Sequence, residues 1–409
     1  MDPNKPIIQI PKELSDVQLQ FQTEMLEIKQ QHQKSFIGVP KESILQEKRV
    51  ALVPSSVAIL VANGYRVMVE RGAGEKSNFK DIEYTEAGAE LVDDKAEIFK
   101  AEIITKAAPP TVQEIELMQP NQILISPLQL PTITEDYIHL LLQKRIVALA
   151  MEYIKDESGS FPIVRIMSEI AGLSAILTAA ELMNNINGGK GVLLGGISGV
   201  PSAKVVILGA GVVGEFATRT ALGLGAEVRI FDNNIYKLMR LQNMVGKQLY
   251  TSVLNPQYLK KELITADVVI GAIHSKTGRT PMIVTEEMVA EMKKGAVIVD
   301  VSIDQGGCFA TSEMTTHDHP TFVKHGVIHY CVPNIASRVA QTASIAASNI
   351  LTNILLNADN PSNVEQLLYH FSGLRNGVYA YKGCLTNEYL GHRFGIKTTN
   401  IDLLLTSIF

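Results

Sequence analysis

Gly209, Gly211 and Gly214 stand in GxGxxG spacing within KVVILGAGVVGEFATRTALGLGAEVRIFD, residues 204–232. That spacing suits a pyrophosphate: the first glycine permits a tight turn, the second lets the diphosphate approach the backbone, and the third lets helix pack on strand. Val205 to Leu208 read as a strand buried on both faces, which only a parallel sheet covered by helices provides. A helix from Val212 to Leu222 then offers free N–H groups and a positive dipole end, so the backbone of Ala210, Val212 and Val213 shares the cradle. A second strand, Ala226 to Phe231, ends on Asp232, whose carboxylate can accept hydrogen bonds from both hydroxyls of an adenosine ribose. Strand, turn, helix, strand and terminal acid in register point to dinucleotide binding. Asn233 and Asn234 stand where an NADP enzyme would often offer arginine, so NAD is favoured; Lys237 and Arg240 keep NADP open.

Two further residues have the chemistry of a reaction centre. In VDVSIDQGGC, residues 299–308, Asp304 lies just past a strand, and ligands bind outside the carboxyl ends of parallel strands. Asp300 falls within that strand and is read as structural. In GVPKESILQEKRVALVP, Arg49 follows the first strand of the chain, and its planar fork suits a substrate carboxylate. His317, Asp318 and His319, with His325 and His329 nearby, resemble ligand spacing but lack a convincing fourth partner, so no metal is assigned. Cys308, after two glycines, reads as a small packing residue.

These residues need scaffolds. A chain of 409 residues is too long for one core and suits two domains with an appendage. Its net charge of −5 and 19% charged residues give no basic face for nucleic acid. A hydrophobic content of 46% fits large parallel sheets, no uninterrupted apolar run reaches membrane-span length, and the polar opening is no signal peptide. The three cysteines show no CxxC, which suits a reducing cytoplasm.

Residues 1–34 read as a helical extension, with Leu14, Val17, Phe21, Met25 and Ile28 forming one apolar stripe behind a cap at Ser15 or Asp16. Strands are expected at Phe36–Val39, Arg66–Glu70, Glu102–Thr105, Ile123–Ser126 and Ile146–Ala150, a doubly wound domain without GxGxxG that would hold the other substrate. A long helix from Met167 to Asn187 crosses to the nucleotide domain. Gly188 to Pro201 is glycine-dense but is not a Walker loop. Beyond Asp232, strands at Gln248–Thr251, Asp267–Ala272, Ala296–Val301 and Val327–Val332 bring the nucleotide sheet to six. A helix over residues 341–356 returns the chain to the first domain. The division is thus 1–34, the extension; 35–162 with 341–409, the substrate domain; and 163–340, the NAD domain. Both ligand crevices face the cleft between the two doubly wound α/β domains.

GxPKE followed by KRVALVP, ERGAGEKSNFKDIEYTEAGAE at 70–90, MSEIAG at 167–172, GKGVLLGGISGVP, the GAGVVG turn and VDVSIDQGGC together resemble alanine dehydrogenase. The wider group includes the nicotinamide-binding part of proton-pumping transhydrogenase, and the likeness runs from about Phe36 to near the end of the chain. The resemblance implies NAD as cofactor, a small amino acid or 2-oxo acid as substrate, conversion of L-alanine and water to pyruvate, ammonium and NADH, and a homo-oligomer, hexamer or dimer. It assigns Arg49 to the substrate carboxylate, Asp304 to the catalytic centre, and Ser168, Asp232 and Lys237 to NAD, with Ile303 and Asn334 completing the cofactor set.

The sequence departs from the family at two positions. The family has a lysine pair one residue apart; here TKAAPP matches the first with Lys106 and replaces the second with Ala108. The family's catalytic histidine should fall in ILISPLQLP, where Gln129 stands. A glutamine can orient a substrate oxygen but cannot take its proton, and general acid–base catalysis is typically worth about 10² to 10⁴ in rate. Lys106 is a candidate substitute, expected to lean toward the gap left by Ala108. Two alternatives remain open: an NAD-binding relative with altered or no turnover, and a transhydrogenase-type hydride-transfer subunit.

Overall fold

Helices that carry the chain back to the same end of a sheet make successive strands parallel, and parallel strands need cover on both faces. The computed structural model describes residues 34–356 except 45 and 276–278, together with 368–369 and 371–406. It contains two such sheets. The first holds β1 (Lys34–Val39), β2 (Tyr65–Glu70), β3 (Glu90–Val92), β4 (Ile103–Thr105), β5 (Ile123–Ser126) and β6 (Val147–Ala150). The second holds β7 (Lys204–Leu208), β8 (Glu227–Phe231), β9 (Tyr250–Ser252), β10 (Val268–Gly271), β11 (Val297–Asp300), β12 (Thr321–Lys324) and β13 (Val327–Tyr330). Near the end of the chain, β14 (Val378–Tyr381) and β15 (Cys384–Leu385) return to the first sheet.

The orders are β15-β14-β6-β5-β4-β1-β2-β3 and β12-β13-β11-β10-β7-β8-β9. Stripped of their antiparallel edges, both follow the 3-2-1-4-5-6 order of a dinucleotide fold. Each sheet is covered by one apolar cluster on each face, two for the first sheet and two for the second. The switch points lie between β1 and β4 and between β7 and β10, where the strand order reverses.

Four strands were not legible in the sequence, and all are short edge or hairpin elements. β3 is three residues long with only Val92 buried, β12 is half-exposed, and β14 and β15 form a hairpin. A turn at His325 and Gly326, both with positive φ, folds β12 back antiparallel on β13. The crossover helix spans Pro162–Leu182 rather than Met167–Asn187, because Pro162 pre-sets its first turn and the chain turns at Asn185–Asn187. The stripe expected from Leu14 to Ile28 lies outside the described residues.

The crossover helix and the stretch Ile335–Leu356 are long and apolar enough to span a bilayer by length and composition alone. Both instead pack inside the protein. Met167 rests on the first domain's core, while Ala171, Ala175, Ile176 and Ala179 enter the core of the second. The return helix, Ala340–Leu356, buries Leu351 and Leu355 in the first domain, and its Ser344 and Ser348 hydroxyls accept from the Val50 and Val53 amides at 3.0 Å.

Close approach of the crossover helix to the nucleotide helix, Val212–Gly223, depends on Gly172. A Cβ there would sit 2.5 Å from the Val213 carbonyl oxygen and 2.8 Å from the Ala217 nitrogen. Gly172→Ala is therefore expected to cost about 2 kcal/mol of overpacking strain, read as a lower urea midpoint.

Candidate active site

The glycine turn is built by contact distances that leave no room for side chains. Gly209 has φ +111°, and a Cβ on it would lie 2.3 Å from the Ala272 carbonyl oxygen; one on Gly214 would lie 1.9 Å from the Gly209 carbonyl oxygen. Gly211 faces open space at the start of the nucleotide helix, as close approach by a pyrophosphate requires. Asp232 clamps the turn: one oxygen accepts from the Ala210 amide at 2.8 Å and the other from the Asn234 amide at 2.7 Å. Fixed at the end of β8 in this way, its remaining lone pairs suit ribose hydroxyls. Lys237 begins the following helix, where the Asn234 side chain caps its amide at 3.2 Å. Ser168 lies half-buried on the crossover helix, and Ile303 is buried in the turn after β11. These residues fit a nicotinamide adenine dinucleotide.

Asp300 and Asp304 differ in their surroundings. Asp300 is buried and accepts from the Ser302 and Cys308 amides, both at 3.0 Å, and from the Ser312 hydroxyl at 2.6 Å, so it ties down the loop. Asp304 opens onto the cleft but is walled by protein on its other sides. That enclosure pushes its carboxyl up to about 6, against the Asn334 amide and Arg49, which pull it down. Solvent in an open cleft moderates the shift, and a bound ligand that expels water deepens it. Cys308 beside Asp300 is fully buried and its thiol is pushed upward by burial, in keeping with a packing residue.

Arg49 reaches the same cleft from the first domain. Its Nε and Nη2 donate to the two oxygens of Glu47 at 2.9 and 2.7 Å, and Nη1 touches the Met167 sulfur at 3.2 Å. Glu47 occupies one side of the guanidinium and the Met167 sulfur meets Nη1, so a substrate carboxylate would take the remaining N–H groups of Nη1 and Nη2. Burial would raise the Glu47 carboxyl, but Arg49 outweighs it and holds it below the usual range.

The structure places Lys106 elsewhere than the sequence suggests. It lies just past β4, fully buried, with its ammonium 2.9 Å from Glu42 and 3.4 Å from Glu114, and it does not lean into the gap at Ala108, itself fully buried. Burial disfavours its charge, yet the two carboxylates more than compensate, so it stays charged. A lysine so held is a poor proton acceptor. Gln129 sits past β5 in the left-handed region, φ 45° and ψ 67°. Its amide and that of Leu128 donate to Glu152 at 3.2 and 2.9 Å, a carboxylate that burial pushes up. Asn334, also left-handed at φ 57°, donates its amide to Asp304 at 2.9 Å and its side chain to Glu47 at 2.7 Å.

The histidines scatter. His329 is a core residue bonded to Thr311 at 2.8 Å and stacked on Phe322, His325 pairs with Glu286, and His317 meets Gln46 through its amide. Among the described residues no group of three or more His, Cys, Asp or Glu side chains could hold a metal ion. Glu47 and Glu152 went unremarked in the sequence. Only the first had a signal there, standing two residues before Arg49 and so on the same side of extended chain.

Two doubly wound domains and a fitted dinucleotide cradle define an NAD-dependent oxidoreductase. Family models for the N-terminal and C-terminal domains of alanine dehydrogenase/PNT match residues 38–171 and 175–388. Alanine dehydrogenase 2 of Staphylococcus aureus (strain USA300) is 37% identical over 367 residues, 90% of this chain and 98% of that protein. A solved L-alanine dehydrogenase superposes with a TM-score of 0.83 at 35% identity over 88% of this chain and 99% of the other. A transhydrogenase from Sinorhizobium meliloti gives 0.74 at 25% identity, over 87% and 99%. The chain belongs to the alanine dehydrogenase/PNT family.

Lys106→Met should destabilise the fold by about 3–5 kcal/mol, because it strands the buried Glu42 carboxylate, whereas Glu114 keeps Lys95 at 2.9 Å. Denaturant unfolding checks this, and the loss is expected whether or not turnover is present.

Proposed function

We propose that this protein oxidises a small L-amino acid, alanine first, to its 2-oxo acid with release of ammonium and formation of NADH. The observation that supports the reading is the run of hydrogen bonds from Arg49 through Glu47 and Asn334 to Asp304, which ties an arginine of one domain to an acid of the other. NAD, when bound, supplies the hydride acceptor. The remaining N–H groups of Arg49 hold the substrate carboxylate and fix which face of Cα meets the cofactor crevice. Asp304, deprotonated, accepts the proton that the substrate amine sheds as its Cα–H bond breaks and releases it to solvent; it then takes the proton of the water that adds to the resulting imine carbon and returns it to the nitrogen, which leaves as the carbinolamine collapses. Gln129 orients the substrate nitrogen or oxygen without taking a proton. Ala108 leaves the carboxylate to Arg49 alone, which weakens binding relative to a lysine-assisted site.

A second reading, NAD binding with altered or no turnover, or hydride exchange of transhydrogenase type, draws support from Ala108 and Gln129. NADH formation across a panel of amino acids, with NADH binding measured in parallel, separates them: binding without turnover on any amino acid sinks the first. We also propose a cytoplasmic homo-oligomer, dimer or hexamer. The support is the free state of all three thiols and an exposed apolar patch containing Ile186, Leu193 and Ile197, at 95%, 65% and 65% exposure.

Because the deprotonated Asp304 is the acting form, kcat/KM should rise with pH and level off above a single limb near 6. Asp304→Asn should abolish that limb and lower kcat by about 10² to 10⁴ while NADH still binds.

A further inference from the structure

Glu47 is 1% exposed, yet it accepts more hydrogen bonds than any carboxylate near the cleft. One oxygen takes the Lys48 amide at 3.1 Å, the Arg49 amide and Nε at 2.9 Å each, and the Ser337 hydroxyl at 3.1 Å. The other takes Arg49 Nη2 and Asn334 Nδ2, both at 2.7 Å. Its donors come from both domains: Lys48 and Arg49 from the loop after β1, Asn334 and Ser337 from the turn after β13. The Lys48 amide also reaches the Ser337 hydroxyl, at 3.2 Å.

We propose that Glu47 is a positioning residue that couples the two halves of the reaction site, fixing the guanidinium of Arg49 with both carboxylate oxygens and, through Asn334, the seat of Asp304 with one of them. The physical case is a chain of contacts without slack. Glu47 sets which edge of Arg49 faces the cleft. It also anchors the side chain of Asn334, whose left-handed backbone aims its amide at Asp304; asparagine is one of the few residues that adopts this conformation at small cost. If Asn334 rotates, Asp304 loses the donor that orients it. The carboxylate of Glu47 also offsets the charge of Arg49, which otherwise acts on Asp304. The groups facing Asp304 are Arg49 from the first domain and, from the second, Asp300 and the Asn334 amide.

The coupling rests on the dehydrogenase reading for its kinetic test but not for its titration test. Glu47→Gln keeps the shape and removes the charge. In this variant KM for the amino acid should rise roughly ten- to hundredfold, the loss expected for a charge-assisted hydrogen bond pair, and the limb set by Asp304 should move below its wild-type position because Arg49 is no longer offset. Asn334→Gly suits the same backbone and cuts only the side-chain link; kcat should fall roughly tenfold with KM changed far less, the effect of one lost hydrogen bond to a charged group. Carbon-13 NMR of the aspartate carboxyls, with the Asp304 signal identified by its loss in Asp304→Asn, follows the same titration without turnover. A folded Glu47→Gln protein with unchanged KM and an unmoved Asp304 titration would overturn the coupling and leave Glu47 a simple tie between domains. Should that variant fail to fold, an Asn334→Gly protein with wild-type kcat and Asp304 titration overturns it equally. A wild type that turns over no amino acid sinks the dehydrogenase reading instead, and the NMR shift alone then decides the coupling.

Discussion

A charge buried in protein must find its counter-charge, and the seam between the two sheets is built around charges that meet this demand to different degrees. Glu47 is paired with Arg49 and surrounded by donors, and Lys106 is flanked by Glu42 and Glu114. These groups hold their shape because separating them would strand a charge. Asp304 and Glu152 are different: each is held by neutral amides rather than bound directly to a cation, and burial raises both. The paired charges make the frame.

Parallel-sheet architecture explains why these groups meet. Both sheets follow one strand order, and loops from the carboxyl ends of their strands meet where Glu47 bonds to Asn334 and Ser337. The loops after β1, β4, β5 and β6 bring Glu47 and Arg49, Lys106, Gln129 and Glu152. Those after β7, β11 and β13 bring the glycine turn, Asp304 and Asn334. The crossover helix shares its length between two cores, so the domains cannot separate without exposing apolar surface. Strain lies at the same edge, where Gln129 holds positive φ.

The replacements at Ala108 and Gln129 alter the chemistry without disturbing this frame. Ala108 packs with no exposed surface, and the loop carrying Gln129 is pinned through its backbone by Glu152, which is indifferent to the side chain at that position.

Period and spacing along the chain determined much of this by themselves. The buried strands, the GxGxxG turn with Asp232 behind it, and the structural role of Asp300 all follow from local register, because each depends on residues within one strand–turn–helix unit. Edge strands such as β3 and β12 did not, since their short, half-exposed runs carry little pattern. Only the tertiary structure decided that Lys106 is sealed between two glutamates, that Glu47 rather than solvent faces Arg49, and that Asn334 links Glu47 to Asp304. Those outcomes depend on which charges two separately folded sheets bring within a few ångströms of each other, and a linear sequence holds no record of that distance.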